Sequence, residues 1–384
     1  MESIINYLQS TMLVERLFGV GVYALTLGYF YNKIQHAKTA EGVSRYFNHY
    51  LIVLCIMAFF YIPGTSADLF RWRNLAEPWK DSSFSWFLNN RVLPSSTPIS
   101  YLFIYICQMT GINGLLPMLC ALGFYGNVFH ILKCESKRNE RNFDSIAVTL
   151  LFVMSSGVFL EVISGIRCML AFSIVLRFAY DEVYQGKSLL RSVPFYIIAA
   201  LLHNAAIPLI GVRLACIVFE KKSNVGLTIL NILLAMISFV IAVRLGNDYI
   251  DAAFEKANSY TSRNVYSYSW EYLIAGLGLV ILIPILIKFK KRYPEAWKTE
   301  MISVRYLLIV LVAEVVFVRT YSIFHRFFTV ATIVSVPWMI AFLNSEFENE
   351  RKLSRQYIVI MSMLVLLLAC VRGNLCGYKF FFLG

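Results

Sequence analysis

Charge is what this sequence has little of. Only 15% of its 384 residues are Asp, Glu, Lys or Arg, against about 25% in an ordinary soluble domain. None of its eight cysteines forms a Cys-x-x-Cys pair, so neither a zinc site nor a dithiol redox motif is suggested. Walker loop, Gly-x-Ser-x-Gly elbow, His-Glu-x-x-His helix and dinucleotide fingerprint are all missing, and with them the chemistries they carry. There is no repeated half with matching broken helices of the transporter kind. The N-terminus lacks the marks of a cleaved signal: Glu2 comes early, the first basic residue is Arg16, and no small-residue cleavage site follows the apolar run. The first helix is therefore read as retained.

What is there is apolar. Hydrophobic residues make up 58% of the chain and the mean hydropathy is +0.63. A soluble globule of this size could not hide that surface, and a disulfide scaffold or a disordered chain is excluded too. The composition predicts an all-α, polytopic integral membrane protein with about twelve spanning helices (roughly ten to thirteen), since each needs about 20 apolar residues. The whole chain, 1–384, then reads as one transmembrane domain. Apolar runs predict spans at 12–31, 48–63, 113–132, 143–162, 166–184, 190–204, 205–220, 224–245, 271–289, 304–319, 326–343 and 356–372. The stretch 190–220 is split at His203-Asn204 because the charge pattern then fits on both sides. Segment 98–110 is too short to span and reads as an interfacial or re-entrant helix.

The net charge of +12 does not point to nucleic acid, because the cations are dispersed between apolar segments. Six connecting segments on one side, from 32–48 to 344–355, hold 19 of the 35 Lys and Arg, which marks that side as cytoplasmic. Two long loops, 64–97 and 246–270, fall outside. The cytoplasmic cations are mostly lysine, 12 to 7, whereas 13 of the other 16 are arginine. Topology requires only positive charge. Arginine adds a planar fork that binds phosphate or carboxylate through two parallel hydrogen bonds.

Four segments carry candidate chemistry. Asp68-Leu-Phe-Arg71-Trp-Arg73 follows the second span on the outer side; it suits an acid–base group with cations, and a plain Asp–Arg loop clamp accounts for it equally. Ser164-Gly-Ile-Arg167 opens the 166–184 helix at its outer end, where free N–H groups and the dipole favour an anion. His203-Asn-Ala-Ala206 offers one imidazole at an apolar helix end, either a satisfied polar residue or a base. Arg319-Thr-Tyr321-Ser-Ile-Phe-His325-Arg326 packs two Arg, a His and a Tyr into an outer turn. Arg177, close to Asp181 and Glu182, is read as structural. Trp72, Trp79, Trp86, Tyr260, Tyr266, Tyr268 and Trp270 read as an interfacial belt or as sugar-stacking rings.

The order of these segments resembles the EpsG family of polytopic membrane proteins, which is counted with the Wzy-type polymerases. The resemblance rests on Asp68-Leu-Phe-Arg71, Ser164-Gly-Ile-Arg167-Cys-Met-Leu-Ala171, His203-Asn-Ala-Ala206 and Arg326-Phe-Phe, across about residues 50–340. Departures are Cys168 for the usual Gln, Leu69-Phe70 where Tyr is common, and Ala205 for Ser. It implies a GT-C-like polymerase architecture in a bacterial cytoplasmic membrane, with the site facing the periplasm or exterior. It implies transfer of a growing chain from undecaprenyl diphosphate to a lipid-linked repeat unit, as in exopolysaccharide, capsule or O-antigen assembly. The implied partners are that lipid-linked oligosaccharide, the bilayer, and a chain-length regulator and a flippase of the same pathway.

Negative charge grows on the diphosphate as the sugar bond breaks. A fixed donor aimed at such charge can contribute about 3–4 kcal/mol. Arg167 and Arg326 are assigned that work, with Arg71, Arg73, Arg319 and Tyr321 as further substrate contacts. His203 is the candidate base, with Asp68 and His325 behind it. No cofactor or metal is required, although the outer acids Asp248, Asp251 and Glu255 leave a metal open. Rival readings are an O-antigen ligase or another lipid-phosphate-sugar glycosyltransferase, a flippase or transporter of lipid-linked sugars, and a membrane acyltransferase. A ligase-like enzyme commonly pairs acids in the first large outer loop, where this chain has Asp68, Glu77 and Asp81 with no adjacent pair. A flippase should line a path across the membrane with charge, whereas the suspects here gather on one side.

Overall fold

The computed structural model describes residues 11–63, 67–140, 142–155, 158–220, 287–316, 321–344, 348–371 and 379–380. They group into two compact units, Met1–Ala206 with Met339–Gly384, and Ile207–Trp338.

The first unit holds α1 (Thr11–Gln35), α2 (Ala40–Phe59), α3 (Asp68–Ala76), α4 (Phe84–Phe87), α5 (Pro98–Met109), α6 (Leu115–Arg138), α7 (Phe143–Ser155), α8 (Val158–Ser164), α9 (Cys168–Tyr184) and α10 (Leu189–Leu202). Helix α11 (Ala206–Glu220) begins at its edge, α12 (Pro294–Val316) and α13 (Tyr321–Val334) belong to the second unit, and α14 (Val336–Leu343) and α15 (Glu348–Val371) follow. Strand pairing among the described residues is confined to Tyr61–Ile62 (β1) against Lys379–Phe380 (β2), antiparallel.

Local sequence explains where α2 starts. The Thr39 side chain accepts from the Gly42 N–H at 3.1 Å, and Glu41 sits in the first turn, where negative charge suits the dipole. Val43, Phe47, Tyr50, Leu54 and Met57 are buried at alternating spacings of four and three, the interval of one helical face. That face packs along α6, which is buried on more than one side and forms the centre of the unit. Tyr50 stacks on Phe30 at 4.6 Å and on Phe129 at 5.5 Å, and Tyr125 and Phe159 continue the ladder towards α8. Gly114 permits the close join, since a Cβ there would lie 2.2 Å from the Phe59 carbonyl oxygen.

Several sequence boundaries move. The helix expected at 48–63 starts eight residues earlier and ends at Phe59. The described part of the span expected at 143–162 comprises α7 and α8, with 156–157 between them outside the described residues. Helices α13 and α14 replace one span over 326–343, with a bend of 47° between them. The segment 64–97, expected as an outer loop, is folded over its described residues 67–97: α3, a 3-10 turn at Glu77–Trp79, α4 and a π turn at Leu88–Val92 occupy much of it, because Trp79 and Phe87 bury themselves at its centre. The division at His203-Asn204 stands, with α10 ending at Leu202 and α11 beginning at Ala206. Segment 98–110 is helical as α5. The expected span 224–245, most of 271–289 and the outer loop 246–270 lie outside the described residues.

Among the described residues, α2 and α6 are long and apolar enough to cross a membrane singly, and α13 with α14 makes a third if the bent pair is one span. Large apolar side chains stand exposed along α1, α2, α10 and α15, among them Leu25, Ile52, Leu190, Ile197, Ile360 and Met363. Water penalises such continuous faces and lipid does not.

Candidate functional site

Helix directions bring one set of ends together. Helices α2 and α6 meet where Phe59 abuts Gly114. The Cys120 thiol reaches the Ile166 carbonyl at 3.3 Å, and Asn127 Nδ2 donates to Ser173 Oγ at 3.1 Å, so α6 and α9 run parallel from that same end. Phe178 stacks on Phe195 at 3.9 Å. This antiparallel pairing of α9 and α10 carries His203 back to the level where α9 begins. Asn204 Nδ2 donates to Ser96 Oγ at 3.1 Å and fastens that turn to the folded segment 67–97.

Arg167 is the N-cap residue of α9 and its own side chain makes no capping bond; the Cys168 N–H donates to the Gly165 carbonyl at 3.2 Å. Its guanidinium carbon lies 4.2 Å above the Trp72 ring. Trp72 stands edge-on to Tyr101 at 5.6 Å, and Tyr101 leans on the buried Trp79. The turn into α9 depends on Gly165: its N–H donates to the Glu161 carbonyl at 2.7 Å, and a Cβ would lie 2.7 Å from that same oxygen. A planar cation, the positive end of a helix dipole and an aromatic floor thus share one helix start, an arrangement that suits an oxyanion of phosphate type.

Helix α3 supplies the rest. Asp68 lies in its first turn and is ion-paired with Arg71; both side chains are open to water. Arg73 is turned elsewhere. Its Nη2 donates to the Asn113 carbonyl at 2.5 Å. Burial lowers Arg73 from the ordinary guanidinium range, and nearby Tyr61 works in the opposite direction. Tyr61 also hydrogen-bonds Ser164, so the end of α2, the start of α3 and the Arg167 turn are tied together.

His203 caps α10 in extended conformation, φ −157° and ψ 123°. The Ala205 N–H donates to its Nδ1 at 3.1 Å. A neutral ring held this way carries its proton on Nε2.

Among the sequence candidates, Asp68, Arg71, Arg73, Arg167 and His203 therefore share one unit and one end of its helices. Arg326 lies in the second unit, half-buried, in the second turn of α13, since the helix is already formed at Tyr321. Tyr321 and His325 precede it on the same helix. Arg319 and the acids Asp248, Asp251 and Glu255 lie outside the described residues. Trp72, Tyr61, Ser164, Tyr101 and Gly165 were not singled out from sequence as site residues. Trp72 was read as an interfacial-belt or sugar-stacking ring and not as a partner of Arg167, although its place between Arg71 and Arg73 was the available signal.

The opposite end of the same unit is polar for another reason. Glu135, 1% exposed, accepts from Arg138 Nη1 at 2.5 Å and Tyr180 OH at 2.7 Å. Asp181, also 1% exposed, meets His130 Nε2 at 2.8 Å and Lys187 Nζ at 2.7 Å. Arg177 donates to Asn127 Oδ1 at 3.1 Å, so its recorded partner is an amide and not the neighbouring acids that the sequence suggested. An open cavity of about 1110 Å³ lies beyond them, lined wholly by polar and charged residues such as Gln35, Asn142 and Lys352. Cys107, Cys120, Cys168 and Cys216 are buried, Cys55 and Cys134 half-buried, all as free thiols.

Comparison with known proteins gives one match: residues 49–381 fit the sequence model of the EpsG family. No curated protein and no solved structure matches the chain.

Proposed function

The chain belongs to the EpsG family, a family of Wzy-like exopolysaccharide polymerases, and from that premise we propose that it joins undecaprenyl-diphosphate-linked repeat units at the outer face of a bacterial cytoplasmic membrane. The reaction forms a bond between the reducing-end sugar carbon of the growing chain and a hydroxyl oxygen of the incoming unit. The bond from that carbon to the diphosphate oxygen breaks, undecaprenyl diphosphate leaves, and the hydroxyl proton passes to a base.

One observation carries this reading: Arg167 heads α9 with its guanidinium on Trp72, and Trp72 shares its short helix with the Asp68–Arg71 pair. In the proposal the Arg167 fork and the positive end of the α9 dipole receive the charge that builds on the departing diphosphate. Arg326, in the second unit, is assigned the same role on the family motif alone. Arg71, Arg319 and Tyr321 hold the remaining diphosphate and sugar oxygens, with Arg73 supporting them through the Asn113 turn.

For the proton, the geometry supports a division of labour. Nδ1 of His203 is already occupied by the Ala205 N–H, so the ring acts as a base only if that bond opens. As it stands, it offers Nε2–H as a donor to substrate oxygen. Asp68, water-accessible beside Arg71, is the carboxylate assigned to take the proton, with His325 as the remaining alternative.

The test is incubation of purified protein with synthetic lipid-diphosphate repeat units. A ladder of products is expected. Arg167→Lys should cut its rate by about 10²–10³-fold although the charge is kept, because the fork is lost. Capping of an unrelated acceptor with no ladder would indicate a ligase instead. In a deletion strain, single repeats accumulating outside the membrane are expected; repeats trapped inside would identify a flippase.

A further inference from the structure

We propose that Trp72 is a positioning residue for this reaction, holding the Arg167 guanidinium in the plane from which it meets the diphosphate. The inference rests on the role given to Arg167 above. Arg167 is held at its backbone by the start of α9, where the Ala171 N–H donates to its carbonyl at 3.0 Å. A backbone hydrogen bond does not set the plane of a guanidinium at the end of a long side chain. The Trp72 face, 4.2 Å from the guanidinium carbon, restricts that plane. Stacking engages the π-face of the cation, whereas the parallel bonds of a fork to phosphate oxygens are made by its N–H edges.

Trp72 is itself fixed. It meets Tyr101 of α5 edge-to-face, and Tyr101 rests on Trp79, which is 1% exposed. The ring is therefore part of a wall that includes the folded outer segment. Arg71 and Arg73 flank it on α3 and turn to Asp68 and Asn113 respectively, so the three residues 71–73 divide into two polar anchors and a central floor. An interfacial-belt tryptophan would be expected to place its ring in the headgroup layer. This one lies under a cation at a helix start.

The experiment compares Trp72→Phe, Trp72→Met and Arg167→Lys in the full-length protein, in lipid nanodiscs, with the synthetic lipid-diphosphate repeat unit. Phe keeps a face with a weaker quadrupole, and Met fills the space without one. Removing the face is expected to lower kcat about tenfold, the scale of a partly desolvated cation–π contact, with KM changed less than about twofold. Trp72→Phe should rescue most of this, remaining about two- to threefold below wild type. A well-folded Trp72→Met protein with wild-type kcat overturns the proposal. Should Trp72→Met not fold, Trp72→Phe decides alone, and a wild-type kcat there overturns it equally. Arg167→Lys separates the two levels. Full activity in that variant removes the diphosphate role, whereas an inactive Arg167→Lys beside a fully active Trp72→Met removes only the positioning role.

Discussion

Gly165 shows how much a single hydrogen can decide. Its Cβ position is 2.7 Å from the backbone oxygen of Glu161, closer than real side chains tolerate, and backbone cannot yield as a flexible side chain does. Gly165→Ala should therefore shift the turn that sets Arg167. The expected cost is about 1–3 kcal/mol of stability and a polymer yield that falls further than the amount of folded protein, measured by ladder assay against detergent-stable protein. Equal losses in both would mean the turn matters only for folding. At the neighbouring proton-handling residues, Asp68→Asn preserves size and a hydrogen-bonding oxygen for Arg71 but cannot take a proton; a drop of about 10²-fold or more in rate is expected. His203→Ala should leave lipid-linked single repeat units accumulating, as read by lipid extraction. If Asp68→Asn is silent while His203→Ala is inactive, the base is the imidazole and the Ala205 N–H must release Nδ1 during turnover.

At the scale of elements, α6 and α9 are joined by polar groups where apolar packing would be the simpler solution. Glu135 serves Arg138, Tyr180 and Asn139 at once. Removing its carboxylate takes the acceptor from the buried Tyr180 hydroxyl and the ion-pair partner from Arg138, while Asn139 keeps its bond to the Glu135 backbone carbonyl, so Glu135→Ala should destabilise by roughly 2–3 kcal/mol. Tyr180→Phe takes away one of several partners and should cost about 1–2 kcal/mol. Denaturant titration in detergent would separate the two, and an equal effect would show that the carboxylate is not the hub. The same network gives α9 a fixed rotation about its axis, and that rotation aims its N-cap residue at Trp72. The register of α9 on α6, written in pairs such as Asn127–Ser173 and His130–Asp181, thereby reaches the candidate site about two to four turns away.

For the molecule as a whole, the exposed apolar faces fit a protein solvated by lipid, and the cation distribution sets a direction for it. Asn89, exposed in the folded outer segment, and Lys137, exposed at the end of α6, should lie on opposite sides. In a cysteine-free background, Asn89→Cys is expected to react with an impermeant maleimide in intact cells and Lys137→Cys only after permeabilisation. The reverse pattern would turn the candidate site towards the cytoplasm, where the proposed chain extension has no place.

The sequence determined by itself that this is a membrane protein of helices, where α10 gives way to α11, and which family it belongs to. These are legible because transfer energies, helical periodicity and motif order are properties of short stretches or of their sequence along the chain. Asp68, Arg71 and Arg167 could be picked out on the same basis, as unusual chemistry at outer helix ends. Their partners could not. That Arg167 lies on Trp72, that Arg73 spends its fork on Asn113, and that the segment 67–97 is a folded wall follow from contacts between residues about 20 to 95 positions apart. Only the packing of α3, α5, α6, α8 and α9 brings them within reach. Local pattern specifies which residues leave water; the company they keep is settled by closing the chain on itself, where one Cβ or one carbonyl can redirect a side chain.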